Sequence, residues 1–334
     1  MNIYDVSKKS GYSIATVSRV MNGNPNVSDK ARKKINAVMD EMGYTPNVFA
    51  RGLGLNTMNT IGIMCSDSSD IYLANAVYFI ERELRQNGYD SILCCTGYQL
   101  ENKRSSLNLL LSKRVDAVIL VGSSFLETTM EKNDFIFNAA KEIPIMLING
   151  HLDHPNIYST VFDDYQAVYD VVQTLIQNGK KDIVYLHQAL SYSGQKKLDG
   201  YKAALLANDF PIDEKYIIGC TGQLDHVKEK LTNLWDQNIR FDSVIASDDI
   251  LGVGAVKFAK SKQLLVPDDL NIIGYNNSLL SQCCEPELTS IDNKVETLSI
   301  MSVTTLMRVF QNGNVPSKTM ISGELVKRDT TNFN

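Results

Sequence analysis

On a helix expected over residues 14–21, Ile14, Ala15, Ser18 and Arg19 lie off the apolar stripe of Val17, Val20 and Met21, with Asn22 just past its end. That outer face carries groups that read nucleic acid. An Arg fork pairs bidentately with guanine O6 and N7, and small apolar side chains touch thymine methyls. Ser13 suits the N-cap of this helix, and Gly11-Tyr12-Ser13 separates it from a helix over 4–10 with Val6 inward. Asn22-Gly23-Asn24-Pro25-Asn26 reads as a loop. A third helix over 28–42 turns Ala31, Ile35, Val38 and Met42 inward. A helix-turn-helix of this kind lays its second helix in the major groove. Charge agrees. Residues 1–54 carry eight Lys and Arg against four Asp and Glu, whereas the whole chain has a formal net charge of −5. A basic head on an acidic body directs the head, not the body, to a polyanion.

A second set of polar residues follows apolar segments: Ser66-Asp67, Gly122-Ser123, Asn149, His187, Asp248-Asp249 and Asn276-Asn277. Ligands of open α/β sheets bind beyond the carboxyl ends of the strands. A row of carboxylates, amides and hydroxyls there suits a polyhydroxylated or hydrogen-bonding ligand. The other reading is that these residues only cap the helices that follow.

The elements that must position them alternate. Strands are expected over 61–65, 91–95, 117–121, 143–148, 182–186, 216–220, 242–247, 270–275 and 323–328. Helices are expected over 72–86, 101–113, 129–141, 165–178, 194–208, 224–238, 250–262 and 295–312. The chain should cross from one run to the next near 157–162. Two runs of βα units predict an α/β body of two doubly wound parallel sheets with a cleft between them.

Composition removes other classes. At 334 residues, 44% apolar and 21% charged, the chain is not disordered as a whole. The longest apolar runs, 117–121 and 143–148, are too short to span a bilayer. No signal-peptide core follows the N-terminus, so a cytoplasmic location is expected. The six cysteines show no CxxC or Cys/His spacing, and His151-x-x-His154 reads as a surface turn pair, so no metal is expected. Gly252-Val253-Gly254 lacks the third glycine of a dinucleotide loop, and no cofactor is expected. Nothing supplies an activated nucleophile, so neither is an enzyme.

The strings IYDVSKKSGYSIATVSRVMNGNPNVSDKARKKI and GYTPNVFARGLGL resemble the DNA-binding head of the lactose/galactose repressor (LacI/GalR) family. The remainder resembles the family's effector-binding core through Ala246-Ser247-Asp248-Asp249, VPDDLNIIGYNN, PELTSI and Leu325-Val326-Lys327-Arg328. Within the family the likeness is to the catabolite-control branch, through IATVSRVMNGNPNV, ARGL and KKLDGYKAAL. The resemblance implies a helix-turn-helix head over 1–46, a hinge helix and linker over 47–59, and a bilobal periplasmic-binding-protein-like core over 60–334. The N-subdomain would take about 60–159 and 292–322, and the C-subdomain about 162–288 and 323–330. It implies that Tyr4, Ser13, Thr16, Ser18, Asn22 and Ser28 hold phosphates or position the head, and that Ile14, Ala15 and Arg19 read bases. Asn26, Tyr44, Asn47 and Ala50 would join the DNA interface. Leu53 would be an apolar wedge that unstacks and kinks the duplex from the minor groove. The effector site would draw on Asp67, Ser69, Tyr72, Asn149, Phe162, Lys197, Asp248 and Asn276.

These implications make a repressor that binds a pseudo-palindromic operator and answers to a small polar ligand, a sugar or sugar phosphate. No leucine heptad follows the last strand, so a homodimer is expected rather than a tetramer. Two positions bear on the ligand. Lys197 stands where sugar-binding members carry Arg, as in the catabolite-control branch, whose co-repressor is a phosphorylated carrier protein. Glu285 stands where that branch has an Arg that helps hold the partner, and a carboxylate there repels a phosphoserine. Both regulators, ligand-driven and phosphoprotein-driven, follow from the resemblance.

Overall fold

The computed structural model describes residues 2–44 and 57–333; the expected DNA contacts Asn47, Ala50 and Leu53 lie outside them. The head and the body form separate compact units. In the head, α1 (Ile3–Ser10), α2 (Ile14–Met21) and α3 (Asp29–Met42) follow local signals closely. Asn2 caps α1 in a capping box with Asp5. Ser13 and Ser28 cap α2 and α3 by accepting from the N–H of Thr16 and Ala31. Gly11 and Gly43 end α1 and α3 at φ 74° and 58°, where a Cβ would be strained. Val6, Val17, Val20, Ile35 and Val38 form the small core between the three helices.

The body starts with β1 (Thr60–Cys65), α4 (Ile71–Gln86), β2 (Asp90–Cys95), α5 (Leu100–Ser112), β3 (Ala117–Val121), α6 (Asp134–Ala140), β4 (Ile145–Ile148) and β5 (Ile157–Phe162). Next come α7 (Asp164–Gln177), β6 (Ile183–His187), α8 (Tyr192–Ala207), β7 (Ile217–Gly219), α9 (Leu224–Asp236), β8 (Ser243–Ala246), α10 (Asp249–Ser261) and β9 (Asn271–Tyr275). The chain closes with α11 (Leu279–Cys283), β10 (Thr289–Asp292), α12 (Val295–Phe310), β11 (Lys318–Ile321) and β12 (Glu324–Val326).

These make two six-stranded sheets, ordered β11-β5-β4-β3-β1-β2 and β12-β10-β9-β8-β6-β7. In the first, β1–β3, β3–β4, β4–β5 and β5–β11 run parallel. In the second, β12 lies antiparallel to β10 at one edge. The chain passes between the sheets after β5, after β10 and after β11, so the two lobes are joined by three strand connections.

Several expectations are corrected. Residues 157–162 are a strand hydrogen-bonded on both sides, not a bare crossing; Ser159 and Thr160 are buried in it and break the apolar pattern. The helix expected over 129–141 is α6 alone, preceded by a 3₁₀ turn. The Asn133 side chain ties Glu127 and Thr129 into a loop and stops the helix from starting earlier. The strand expected from 143 starts at 145, because Ile143 N–H already bonds Ala139 and Pro144 has no N–H to give. Strands β10 and β11 and the short helix α11 had no counterpart in the sequence reading. In α8, Gly200 lets the helix pass Tyr165 of α7, whose carbonyl oxygen would sit 2.3 Å from an added Cβ.

Candidate functional site

In the head, packing leaves one face of α2 open. Ala15 and Arg19 are exposed and Ile14 is 39% exposed, while Val17 and Val20 are buried. The Ser13 hydroxyl meets that of Thr16 at 3.0 Å, so both polar groups stand at the N-terminus of α2. Helix N-termini favour anions through their free N–H groups. Asn22 reaches Ser18 at 3.5 Å, and Tyr4 is 66% exposed. Asn26 is exposed in the loop after α2. The Tyr44 ring packs partly buried against the head core.

In the body, a cavity of about 210 Å³ opens between the carboxyl ends of the two sheets. One lobe contributes Ser66, Asp70, Tyr72, Ser123 and Asn149; the other contributes Ser191, Lys197, Asp248, Asn276 and Asn293. The lobes touch across it where the Ser123 and Ser191 hydroxyls lie 2.8 Å apart. Asn149 and Asn276 take left-handed backbone at φ 58° and 94°, which Asn tolerates better than most residues. Asn149 accepts from the Phe162 N–H and donates to the Tyr72 hydroxyl at 2.8 Å. That leaves the Tyr72 O–H free to donate into the cleft. Asn293 donates to Asn276, and Asn276 donates to Asp248, each at 2.8 Å. The amide relay therefore ends on a carboxylate.

Lys197 is the cavity's cation, and it is already engaged. It is 8% exposed. Its ammonium sits 3.5 Å from the Tyr275 ring centroid, donates to the Ser247 carbonyl at 3.1 Å and lies 3.9 Å from Asp164. The Tyr275 hydroxyl donates to Asp164. Burial lowers the Lys197 pKa and raises that of Asp164, each opposed by the other's charge.

Two family descriptions match this chain. "Bacterial regulatory proteins, lacI family" covers residues 2–47, and "Periplasmic binding proteins and sugar binding domain of LacI family" covers residues 58–329. The chain belongs to the LacI family. It is a DNA-binding transcriptional regulator whose effector domain is of the family's sugar-binding type. An HTH-type transcriptional regulator of Lachnoclostridium phytofermentans is 60% identical over 333 residues, 100% of each chain. Catabolite control protein A of Priestia megaterium is 31% identical over 319 residues, 95% of each. Among solved structures, the lac repressor dimer bound to operator and the anti-inducer ONPF superposes with a TM-score of 0.89 at 24% identity, covering 99% of each chain. That likeness is one of fold.

On this LacI-family frame the expected effector residues separate. Tyr72, Asn149, Lys197, Asp248 and Asn276 line the central cavity. Asp67 and Ser69 instead line an adjoining cavity of about 280 Å³, which shares Asp70, Tyr98 and Asp248 with it. There the Asp67 carboxylate is held by the Ser69 N–H and hydroxyl. Phe162 does not enter the central cavity; its ring is 4% exposed and meets Tyr275 edge-on. Tyr98, 61% exposed, is the aromatic that lines both cavities together with Tyr72. The adjacent acids Asp248 and Asp249 part company. Asp248 faces the cleft, while Asp249 is fully buried and accepts from Ser278 and Ser290. Asn277 likewise is held by Arg328. Asp70 and Ser191 lie beyond the strand ends, at the starts of the helices that follow. Helix N-caps point to the same rim, and both residues are N-caps.

Burial pushes the Asp248 carboxyl up to about 7; the charges of Asp70 and Asp249 add to this, while the Ile250 N–H and Lys197 oppose it. A carboxyl whose folded pKa is raised favours folding most in acid and loses that contribution as pH rises through the folded value. Asp248→Asn keeps a capping oxygen for α10 and removes the charge. The variant should therefore be more stable than the parent above neutrality, by about 1–3 kcal/mol, with the gap closing in acid. Thermal melts across this pH range check it, and parallel curves would contradict it.

Proposed function

We propose that this regulator is a homodimer that acts in the cytoplasm on a pseudo-palindromic operator, reading it with α2. Its operator affinity answers to a polyhydroxylated ligand without a phosphate, a sugar, held between the lobes. One observation carries the choice of ligand: the cleft presents Asp70, Asp164 and Asp248 against Lys197, whose charge is spent on Asp164, Tyr275 and Ser247. A phosphate would enter a site with no free cation among its described residues and would meet unpaired carboxylates. Hydroxyls suit it, because acceptors predominate.

Operator titrations with and without a panel of sugars and sugar phosphates test this reading. A neutral or cationic sugar should shift operator affinity, and operator DNA should shift affinity for that sugar by the same factor. Control by sugar phosphates alone would overturn it. So would control by a phosphorylated carrier protein regardless of the cleft; that outcome would favour the catabolite-control mode despite the exposed Glu285. In the same assay, Arg19→Ala should lose about 1–3 kcal/mol of discrimination at one base pair per half-site. A variant that keeps its full sequence preference would show that α2 is not the reading helix.

A further inference from the structure

Asp70 and Asp248 stand on opposite lobes, at the N-caps of α4 and α10, and both line both cavities of the cleft. Each carboxylate has one oxygen fixed by its own helix: Leu73 N–H donates to Asp70, and Ile250 N–H to Asp248. Among the described residues neither forms an ion pair with a protein cation. Lys197 sits between Asp164, Tyr275 and Ser247, so the cavity is left with two more carboxylates than it has cations to match. Two like charges brought together in a partly dry site oppose closure unless a proton is taken up, as the raised Asp248 pKa allows, or a positive group enters between them.

A second feature points the same way. Asn293 is 2% exposed, lines the central cavity, and has no partner for its Oδ1. One of its two amide N–H groups donates to Asn276, and one of Asn276's donates to Asp248. The relay thus commits one N–H of each amide internally and leaves the buried Asn293 Oδ1, in the cavity wall, without a partner. A buried acceptor left unpaired is costly, so the site calls for a ligand rich in donors.

We propose that the effector is an amino sugar, whose ammonium sits between Asp70 and Asp248 and whose hydroxyls meet the serines and amides of the two lobes. This rests on the sugar reading of the cleft and narrows it. An ammonium brings three donors and the missing positive charge, and a charge-assisted hydrogen bond to a carboxylate is roughly twice as strong as a neutral one. Tyr72 and Tyr98 supply the flat apolar wall for the sugar ring.

The test is calorimetric titration of the full-length protein near neutral pH. The panel is glucosamine, galactosamine and mannosamine, each beside its parent hexose and its N-acetyl derivative, with putrescine as an ammonium without hydroxyls. At least one hexosamine should bind about tenfold or more tightly than both its parent and its N-acetyl form. Asp70→Asn, which can still cap α4, should bring that ratio down to about threefold or less. A melting transition like the parent's shows that the body of the variant is folded. A parent hexose or N-acetyl sugar that binds as tightly as the hexosamine overturns the amino-sugar assignment and leaves the sugar reading standing. Putrescine binding as tightly as the best hexosamine overturns it too, since the hydroxyls would then contribute nothing. If no member of the panel binds, the assignment falls together with the sugar reading.

Discussion

Replacing Lys197 by Met is expected to destabilise the body by about 3–5 kcal/mol, a fall of roughly 10 °C in melting temperature, at mildly alkaline pH. Met matches the length of the Lys stem and would still cover the Tyr275 ring. What disappears is the ammonium 3.9 Å from Asp164 and 3.1 Å from the Ser247 carbonyl. Asp164 is 5% exposed and keeps the Tyr275 hydroxyl, but it loses its countercharge. Removing one partner of a buried pair costs more than the pair contributes, because the other charge stays behind. The sign with pH follows. Burial already raises the Asp164 pKa while Lys197 holds it down; without Lys197 it rises further. Such a group favours the fold when protonated and loses that contribution as pH increases. The deficit of Lys197→Met should therefore be small in acid and grow toward alkaline pH. Adding Asp164→Asn should recover most of it, since an amide needs no countercharge. A deficit that is flat with pH, or that the second substitution does not relieve, would mean that Lys197 serves by packing alone.

This behaviour marks the boundary of what could be read from the sequence. The head was legible nearly to the residue, because its signals are local: Ser13 and Ser28 as N-caps, Gly11 and Gly43 as stops, and an apolar stripe at helical spacing. The central strands were legible because strands covered on both faces are nearly continuous apolar runs; all five residues of β3 are buried. Strand β5 was not, since Ser159 and Thr160 hold buried positions and look like loop residues. Strands β10 and β11 are four residues long and take their identity from neighbours far along the chain. The cleft divides in the same way. Asn149, Asp248 and Asn276 sit at strand ends, where position alone marks them. The position of Lys197 was equally clear, but what its charge meets was not. Its partners come from α7, the end of β9 and the residue after β8, so only the packed structure shows that the charge is spent. Phe162 stays out of the central cavity for a related reason. The turn of a side chain at the end of a strand depends on what packs behind it, and behind Phe162 stands Tyr275.

Operator binding should collapse with salt, falling by about 10³–10⁵ in affinity between 50 and 200 mM for the proposed dimer. The head's exposed donors are of two kinds, and only one kind responds to salt. Tyr4, Ser13, Thr16, Asn22 and Ser28 are neutral; hydrogen bonds from them to phosphate release no counterions. The cations are partly occupied within the head. Lys9 pairs with Glu41 at 3.0 Å, Arg32 donates to the Asn24 carbonyl, and Lys34 lies over the Tyr12 ring. Among the described residues, Lys8, Arg19, Lys30 and Lys33 make no ion pair with the protein. Four such cations per head, doubled by the dimer, give a slope of log affinity against log salt of about −7 if all reach the backbone. Lys33→Ala should lower the magnitude of that slope by about 2 for the dimer if Lys33 contacts phosphate. Thr16→Ala should weaken binding at every salt concentration and leave the slope unchanged. Fluorescence anisotropy with a labelled operator measures both. A slope of magnitude below about 2 would mean that this face does not hold the phosphates. A Thr16→Ala variant with an altered slope would mean that the head docks differently once the Thr16 hydroxyl is lost, and the division between neutral and charged contacts would fail with it.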